Sequence, residues 1–218
     1  MIKIKSLVFL LSACLPSLTW AGAQTYEPLS ASVRTVLSKA LADSGNQTLA
    51  FSDPQEGEAW LNAMLERLER ALPDIEQRRE FLVSVHYEAT RAGLDPQMVL
   101  GLIQVESGFK KYAVSTASAR GYMQIMPFWT KLIGTADNNL FHQRTNLRYG
   151  CTILRHYLDI EKGNLFRALG RYNGSLGQPD YPNLVLGAWK SRWAWNYNPS
   201  RKSATQTTSK IGELAKLR

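Results

Sequence analysis

Two Asp-Pro pairs constrain the fold more than any other feature. Asp53-Pro54 and Asp95-Pro96 each open a run whose apolar residues recur every three or four positions. An aspartate there accepts from the free amides of a first helical turn, and proline at the first helical position gives up no hydrogen bond. After Asp53, Leu61, Met64, Leu65, Leu68 and Leu72 form one apolar stripe, which Pro73 stops. A second helix is predicted from about Asp74 to Ala92, with Phe81, Leu82, Val85, Ala89 and Ala92 inward and Gly93 in the terminating position. The third runs from Pro96 to about Glu106 and ends at Ser107-Gly108. Further helix starts are read near Met123, Asn146, Asn164 and Pro182. A helix over Ser32–Ala42 precedes a Ser-Gly-Asn linker. Lys110 to Arg120, rich in Ser and Ala, reads as an ordered loop, with a short hairpin as the alternative. Few segments alternate as strands do and no internal repeat is present, so the expected class is all-α.

The N-terminus reads as an export signal over 1–23. Lys3 and Lys5 precede an apolar run, and Ala21-Gly22-Ala23 supplies the small-residue cleavage pattern. The run falls well short of the ~20 residues that a spanning helix needs. Leu11-Ser12-Ala13-Cys14 also resembles a lipobox, in which Cys14 would be acylated and the protein held at a membrane. Cleavage after Ala23 is favoured, because Leu15 to Trp20 makes a poor polar tether. The expected location is the periplasm, with a lipoprotein as the alternative. The remainder divides into a helical region over 24–90, a catalytic region over 91–197 and a basic, flexible tail over 198–218. Cys151 is then the one remaining cysteine; it shares a stripe with Leu147, Leu154 and Leu158, which suits core packing. The formal charge of +8 admits anionic partners. Nucleic acid is disfavoured by export and by the absence of a binding motif. His86, His142 and His156 lack metal-ligand spacing, so no metal or other cofactor is expected, and they read as ordinary surface or partly buried histidines.

The chemistry concentrates at the end of the third helix. Val99, Leu102, Ile103 and Glu106 fall at i, i+3, i+4 and i+7, which puts a carboxylate on an apolar face. Desolvation and the negative end of the helix dipole both favour the protonated acid there, as a proton donor requires. On periodicity alone a second placement stays open, in which Glu106 reaches past the helix end into solvent.

The motifs downstream of Glu106 give the pattern its specificity. Glu106-Ser107-Gly108-Phe109 is succeeded by Gly121-Tyr122-Met123-Gln124-Ile125-Met126-Pro127, then Asn146-Leu147 with Gly150, then Ala168 and Tyr172-Asn173-Gly174, and finally Tyr181 leading a helix. In order and spacing this set resembles the catalytic domain of soluble lytic transglycosylases, a lysozyme-like fold, over about Leu94 to Trp195. The resemblance implies that Glu106 is the catalytic acid, with Ser107 orienting its loop. It further implies substrate contacts from Ser115, Met123, Gln124, Tyr172, Asn173 and, on a looser match, Tyr181, with the Tyr172 phenol near the acid. A packing role is the alternative for each residue except Glu106. The chain departs from the family pattern at Thr116, Ser118 and Tyr122, where the family usually has proline, glycine and leucine. Arg171 precedes the Tyr-Asn pair, with a substrate carboxylate or solvent as its expected surroundings.

The implied reaction cleaves the β-1,4 bond between N-acetylmuramic acid and N-acetylglucosamine in peptidoglycan strands and leaves 1,6-anhydromuramoyl ends. One glutamate suffices, because the sugar's own C6 hydroxyl is the nucleophile. A goose-type hydrolytic lysozyme and an inactive peptidoglycan-binding component are the alternatives. For hydrolysis, Asp137 or Asp180 would have to act on water. An envelope or secretion machine is a candidate partner, docked through 24–90 or the tail.

Overall fold

The computed structural model describes residues 24–42 and 45–197. The export signal, Cys14 and the basic tail lie outside the described residues, as does part of the Ser-Gly-Asn linker. Among the described residues the regular structure is eight α-helices and one π-turn, which makes the protein all-α. The helices are α1 (Ala31–Leu41), α2 (Pro54–Leu68), α3 (Ile75–Arg91), α4 (Pro96–Ser107), α5 (Phe128–Ile133), α6 (Gln143–Ile160), α7 (Leu165–Asn173) and α8 (Asp180–Ala188), with a π-turn over Trp189–Trp193.

The helix starts follow the local chemistry. Asp53, Asp74 and Asp95 each accept a backbone amide of the first turn, with Pro54 and Pro96 behind two of them. Gly108 ends α4 in the left-handed region at φ 56°, where glycine carries no Cβ penalty. One predicted start is displaced. No helix begins near Met123; α5 begins at Phe128. Arg120 and Ile125 exchange both backbone hydrogen bonds at 3.0 Å, and Gln124 takes φ 49°, so the chain is held in a turn that a helix could not include. The Lys110–Arg120 loop carries the short antiparallel bridge Val114–Arg120.

Helix α4 is the centre of the molecule. Met98, Val99, Leu100, Leu102 and Ile103 are all buried, so it is covered around most of its circumference. Helix α8 and the π-turn pack on one side of it and α3 on another, while α6 packs against α3 and α7. Gly101 makes the α8 contact possible: a Cβ there would lie 3.0 Å from the Trp189 nitrogen and 3.2 Å from the Val185 carbonyl. Trp193 is fully buried and donates to Gln104 Oε1 at 2.8 Å, closing the C-terminal side onto α4.

The N-terminal region is stitched to this body. Buried Arg78 of α3 donates to the Leu65 carbonyl at 2.6 Å and the Pro73 carbonyl at 3.0 Å, holding the end of α2. Glu88, wholly buried, pairs with Arg91 at 3.0 Å, Arg144 at 3.5 Å and Arg148 at 2.9 Å. Those arginines also donate to the Ala40, Gly45 and Leu41 carbonyls, respectively, at and beyond the C-terminal end of α1. Carbonyls left over at a helix end thus find charged donors. His86, read from sequence as surface or partly buried, is 3% exposed. It packs 4.6 Å from the Phe51 ring and 5.0 Å from the Trp60 ring and accepts the Ala50 amide at 3.4 Å. Two aromatic partners brought from outside α3 bury it. His156 is half-buried and His142 exposed.

Candidate active site

Glu106 lies in the last turn of α4 and is 6% exposed. Of the two placements open from periodicity, the structure adopts the buried one. Val99, Leu102 and Ile103 beneath it are inaccessible to solvent. The Tyr181 hydroxyl donates to Glu106 Oε1 at 2.5 Å. Burial and the neighbouring carboxylate push the Tyr181 phenol well above its ordinary pKa, so it remains a donor at any working pH. Tyr172 is raised in the same way, first by burial and then by Glu106, but its hydroxyl donates to the Met123 carbonyl at 2.8 Å. Tyr181, the looser match in sequence, holds the direct contact with the acid, and Tyr172 stands behind it.

Glu106 opens onto a cleft of about 460 Å³ lined also by Val105, Ser107, Lys110, Ser115, Thr116 and Gln124. Ser107 donates to the Tyr122 carbonyl at 2.7 Å and the Ile103 carbonyl at 3.2 Å, tying the Glu106 turn to the following loop. Ser115 accepts the Ala119 amide at 3.1 Å across its own turn. The Gln124 amide nitrogen donates to the Gly121 carbonyl at 2.9 Å and the Ala113 carbonyl at 3.2 Å, which braces the cleft floor. Met123 is fully buried, beneath the cleft rather than in it. The structure does not bring Asn173 to the acid: its amide donates to Ser175 Oγ at 3.0 Å at the end of α7.

Two residues outside the expected site set belong to its frame. Asn146, buried in α6, accepts the Met123 amide at 2.8 Å and donates to the Arg120 and Leu140 carbonyls, each at 2.8 Å. Its place in the motif series marked it, but only the fold brings its three partners together. Gly121, at φ 76°, lies so close that a Cβ there would sit 2.4 Å from Asn146 Nδ2. Gln24, just past the predicted cleavage point, is 3% exposed and accepts Trp129 Nε1 at 2.9 Å and the Met126 amide at 3.5 Å. No motif identified it.

The departures from the family pattern have physical counterparts. Ser118 takes φ 70°, a conformation that glycine adopts without strain and serine does not. Tyr122 is buried 4.7 Å from the Phe81 ring, and burial pushes its phenol up to about 12. Arg171 pairs with Glu161 at 2.7 Å and Glu27 at 3.0 Å. Glu161 also takes Arg167 at 2.5 Å, and these two arginines hold its carboxyl below the usual range. Asp159 pairs with Arg155, and Asp137 and Asp180 are exposed. Among the described residues, Glu106 is the sole carboxylate lining the cleft, and no group of His, Cys, Asp and Glu has the arrangement of a metal site. Cys151 is fully buried in the core.

Residues 84–181 match the Transglycosylase SLT domain family. The chain is 47% identical over 49 residues to the membrane-bound lytic murein transglycosylase C of Actinobacillus pleuropneumoniae serotype 5b, covering 22% of this chain and 13% of that one. It is 34% identical over 100 residues to the transglycosylase of Enterobacteria phage PRD1, covering 43% of this chain and 37% of that one. The membrane-bound lytic murein transglycosylase C of Glaesserella parasuis serovar 5 matches at 34% identity over 98 residues, 43% of this chain and 24% of its own. The chain thus spans well under half the length of these relatives. Among the described residues, no helix is long and apolar enough to cross a membrane.

Proposed function

From a chain that carries a lytic transglycosylase SLT domain over residues 84–181, we propose a peptidoglycan lyase that works outside the cytoplasm with Glu106 as its single acid and base. The observation that carries this reading is one buried carboxylate, held by the Tyr181 hydroxyl at 2.5 Å and opening on a cleft with no second carboxylate among the described lining residues. Most glycosidases that activate water or form a covalent intermediate use two carboxylates about the scissile bond. A single carboxylate suits a reaction whose nucleophile is already part of the substrate.

In the proposed sequence, Glu106 gives its proton to the glycosidic oxygen as the bond from muramoyl C1 to that oxygen breaks. The departing N-acetylglucosamine leaves with a hydroxyl. The carboxylate then takes the proton of the muramoyl C6 hydroxyl, whose oxygen closes on C1. Both proton transfers run through one group, and the ring closure is intramolecular. The Tyr181 hydroxyl holds Glu106 Oε1 in place through both transfers. Ser107, Gln124 and Asn146 keep the loop beside the acid in one geometry, and Ser115 faces the strand.

The test is mass spectrometry of fragments released from purified peptidoglycan by the wild-type protein and by Glu106→Gln. Anhydromuramoyl ends are expected from the wild type and none from the variant. Hydrated reducing ends from the wild type would overturn the ring-closure step and make the protein a hydrolase.

A further inference from the structure

One rim of the cleft carries a surface that catalysis does not use. Between Ser107 and Ala136 the sequence has Lys110, Lys111, Arg120 and Lys131 and no aspartate or glutamate. From this stretch Tyr112 projects 71% exposed and Val114 61% exposed, in a protein where most large apolar side chains are covered. The Tyr112 ring lies 5.9 Å from that of Phe141. Lys111 Nζ stands 5.4 Å from the Tyr112 ring centre, and the Arg120 guanidinium 5.9 Å from the Phe141 ring centre. Tyr112 falls between Lys110 and Ala113, both of which line the cleft.

The patch is built rather than incidental. The Gly121 amide donates to the Ala113 carbonyl at 2.9 Å, bringing the backbone beside Tyr112 next to that of Arg120. The Asn146 carboxamide binds the Arg120 carbonyl and the Leu140 carbonyl at once, which fixes Phe141 opposite. The Phe141 amide is tied to Asn139 Oδ1 at 2.9 Å. Because Asn146 also holds Met123, the aromatic pair and the cleft floor share one anchor. Tyr112 is largely exposed, and paired aromatics present a broad apolar surface.

We propose that Tyr112 and Phe141, flanked by Lys111 and Arg120, form a saccharide-stacking subsite that holds the glycan strand beyond the bond-cleaving cleft. This rests on the reading of the cleft as a peptidoglycan site. The apolar C–H face of a hexosamine ring fits an aromatic face, and where stem peptides have been removed the free muramoyl carboxylates meet the two cations. A strand long enough to span both places is gripped twice, through a second contact within one molecule. A fragment too short to reach the rim is gripped only at the cleft.

The experiment compares the whole wild-type chain with Tyr112→Ala and Phe141→Ala on two substrates: long glycan strands freed of stem peptides, and the tetrasaccharide of two disaccharide repeats. The KM for long strands is expected to rise roughly three- to tenfold, the range of an aromatic stacking contact. The kcat and all tetrasaccharide parameters should stay within about twofold of wild type, since neither ring touches the acid. Lys111→Gln and Arg120→Gln should weaken long-strand binding at low salt and match wild type near ~0.5 M salt, where charge is screened. Unchanged long-strand KM in the ring variants would overturn the subsite, and so would an equal loss on both substrates, which would mean damage to the cleft. If the wild type releases nothing from either substrate, the peptidoglycan reading itself falls.

Discussion

Glu88 and Glu106 both lie out of water, at 0% and 6% exposure, on α3 and α4, two helices that pack against each other. Their neighbours are opposites. Glu88 meets three guanidiniums, from Arg91, Arg144 and Arg148, and those reach on to the carbonyls of the N-terminal region. Glu106 meets a neutral phenol and a cleft. A carboxylate held by three guanidiniums joins parts of the chain. One that opens on a cleft beside a phenol is placed to exchange a proton with what binds there. Burial alone does not mark an active-site acid; the kind of partner does.

Neutralising each acid should separate the two roles. For Glu106→Gln, release of anhydromuramoyl fragments is expected to fall by at least about 10³-fold, as both proton transfers lose their carrier, while stability changes by less than about 1 kcal/mol. Glu88→Gln should do the reverse. It leaves three buried or half-buried guanidiniums short of an anion, a loss of about 3–5 kcal/mol in denaturant unfolding. The kcat of the protein that remains folded should stay within about threefold of wild type. A large rate loss without a stability loss at Glu88 would break the comparison.

A third buried titratable group lies on the Glu88 side. Burial lowers the pKa of His86 from its ordinary 6.5 to about 4. From about pH 6.5 down to about 4 the unfolded chain binds a proton that the folded protein excludes, so stability falls as acid is added through that window. The full loss is at most roughly 3 kcal/mol. Thermal unfolding across this range should show it, and His86→Gln should flatten the slope. The smallest expected effect sharpens the Glu106 side. Tyr181→Phe removes one hydrogen bond to a charged group, and kcat should drop about 10- to 100-fold. A kcat within about twofold of wild type would make Tyr181 a packing residue.

The legible parts of this protein were those written within one helix. Asp53, Asp74 and Asp95 cap the helices that their positions predict, and the stripe Val99, Leu102, Ile103, Glu106 points inward as its period requires. The misplaced start at Met123 failed because an Arg120–Ile125 pairing and a left-handed Gln124 outweigh local helix propensity. Glu88 was not singled out, because two of its three cations arrive from α6, 56 and 60 residues away in sequence. Gln24 and the choice between Tyr172 and Tyr181 were out of reach for the same reason.

By itself, then, the sequence determined where most of the helices begin, that the fold is all-α, and which carboxylate shares an apolar face with the core. These features arise from caps, prolines and periodicity, which act over a few residues. Which tyrosine meets Glu106, which cations meet Glu88, and how Asn146 holds both the cleft floor and the Tyr112–Phe141 rim were decided only in the tertiary structure. Each depends on the closeness of helices far apart in the chain, and that closeness is set by packing around α4, down to the missing side chain of Gly101.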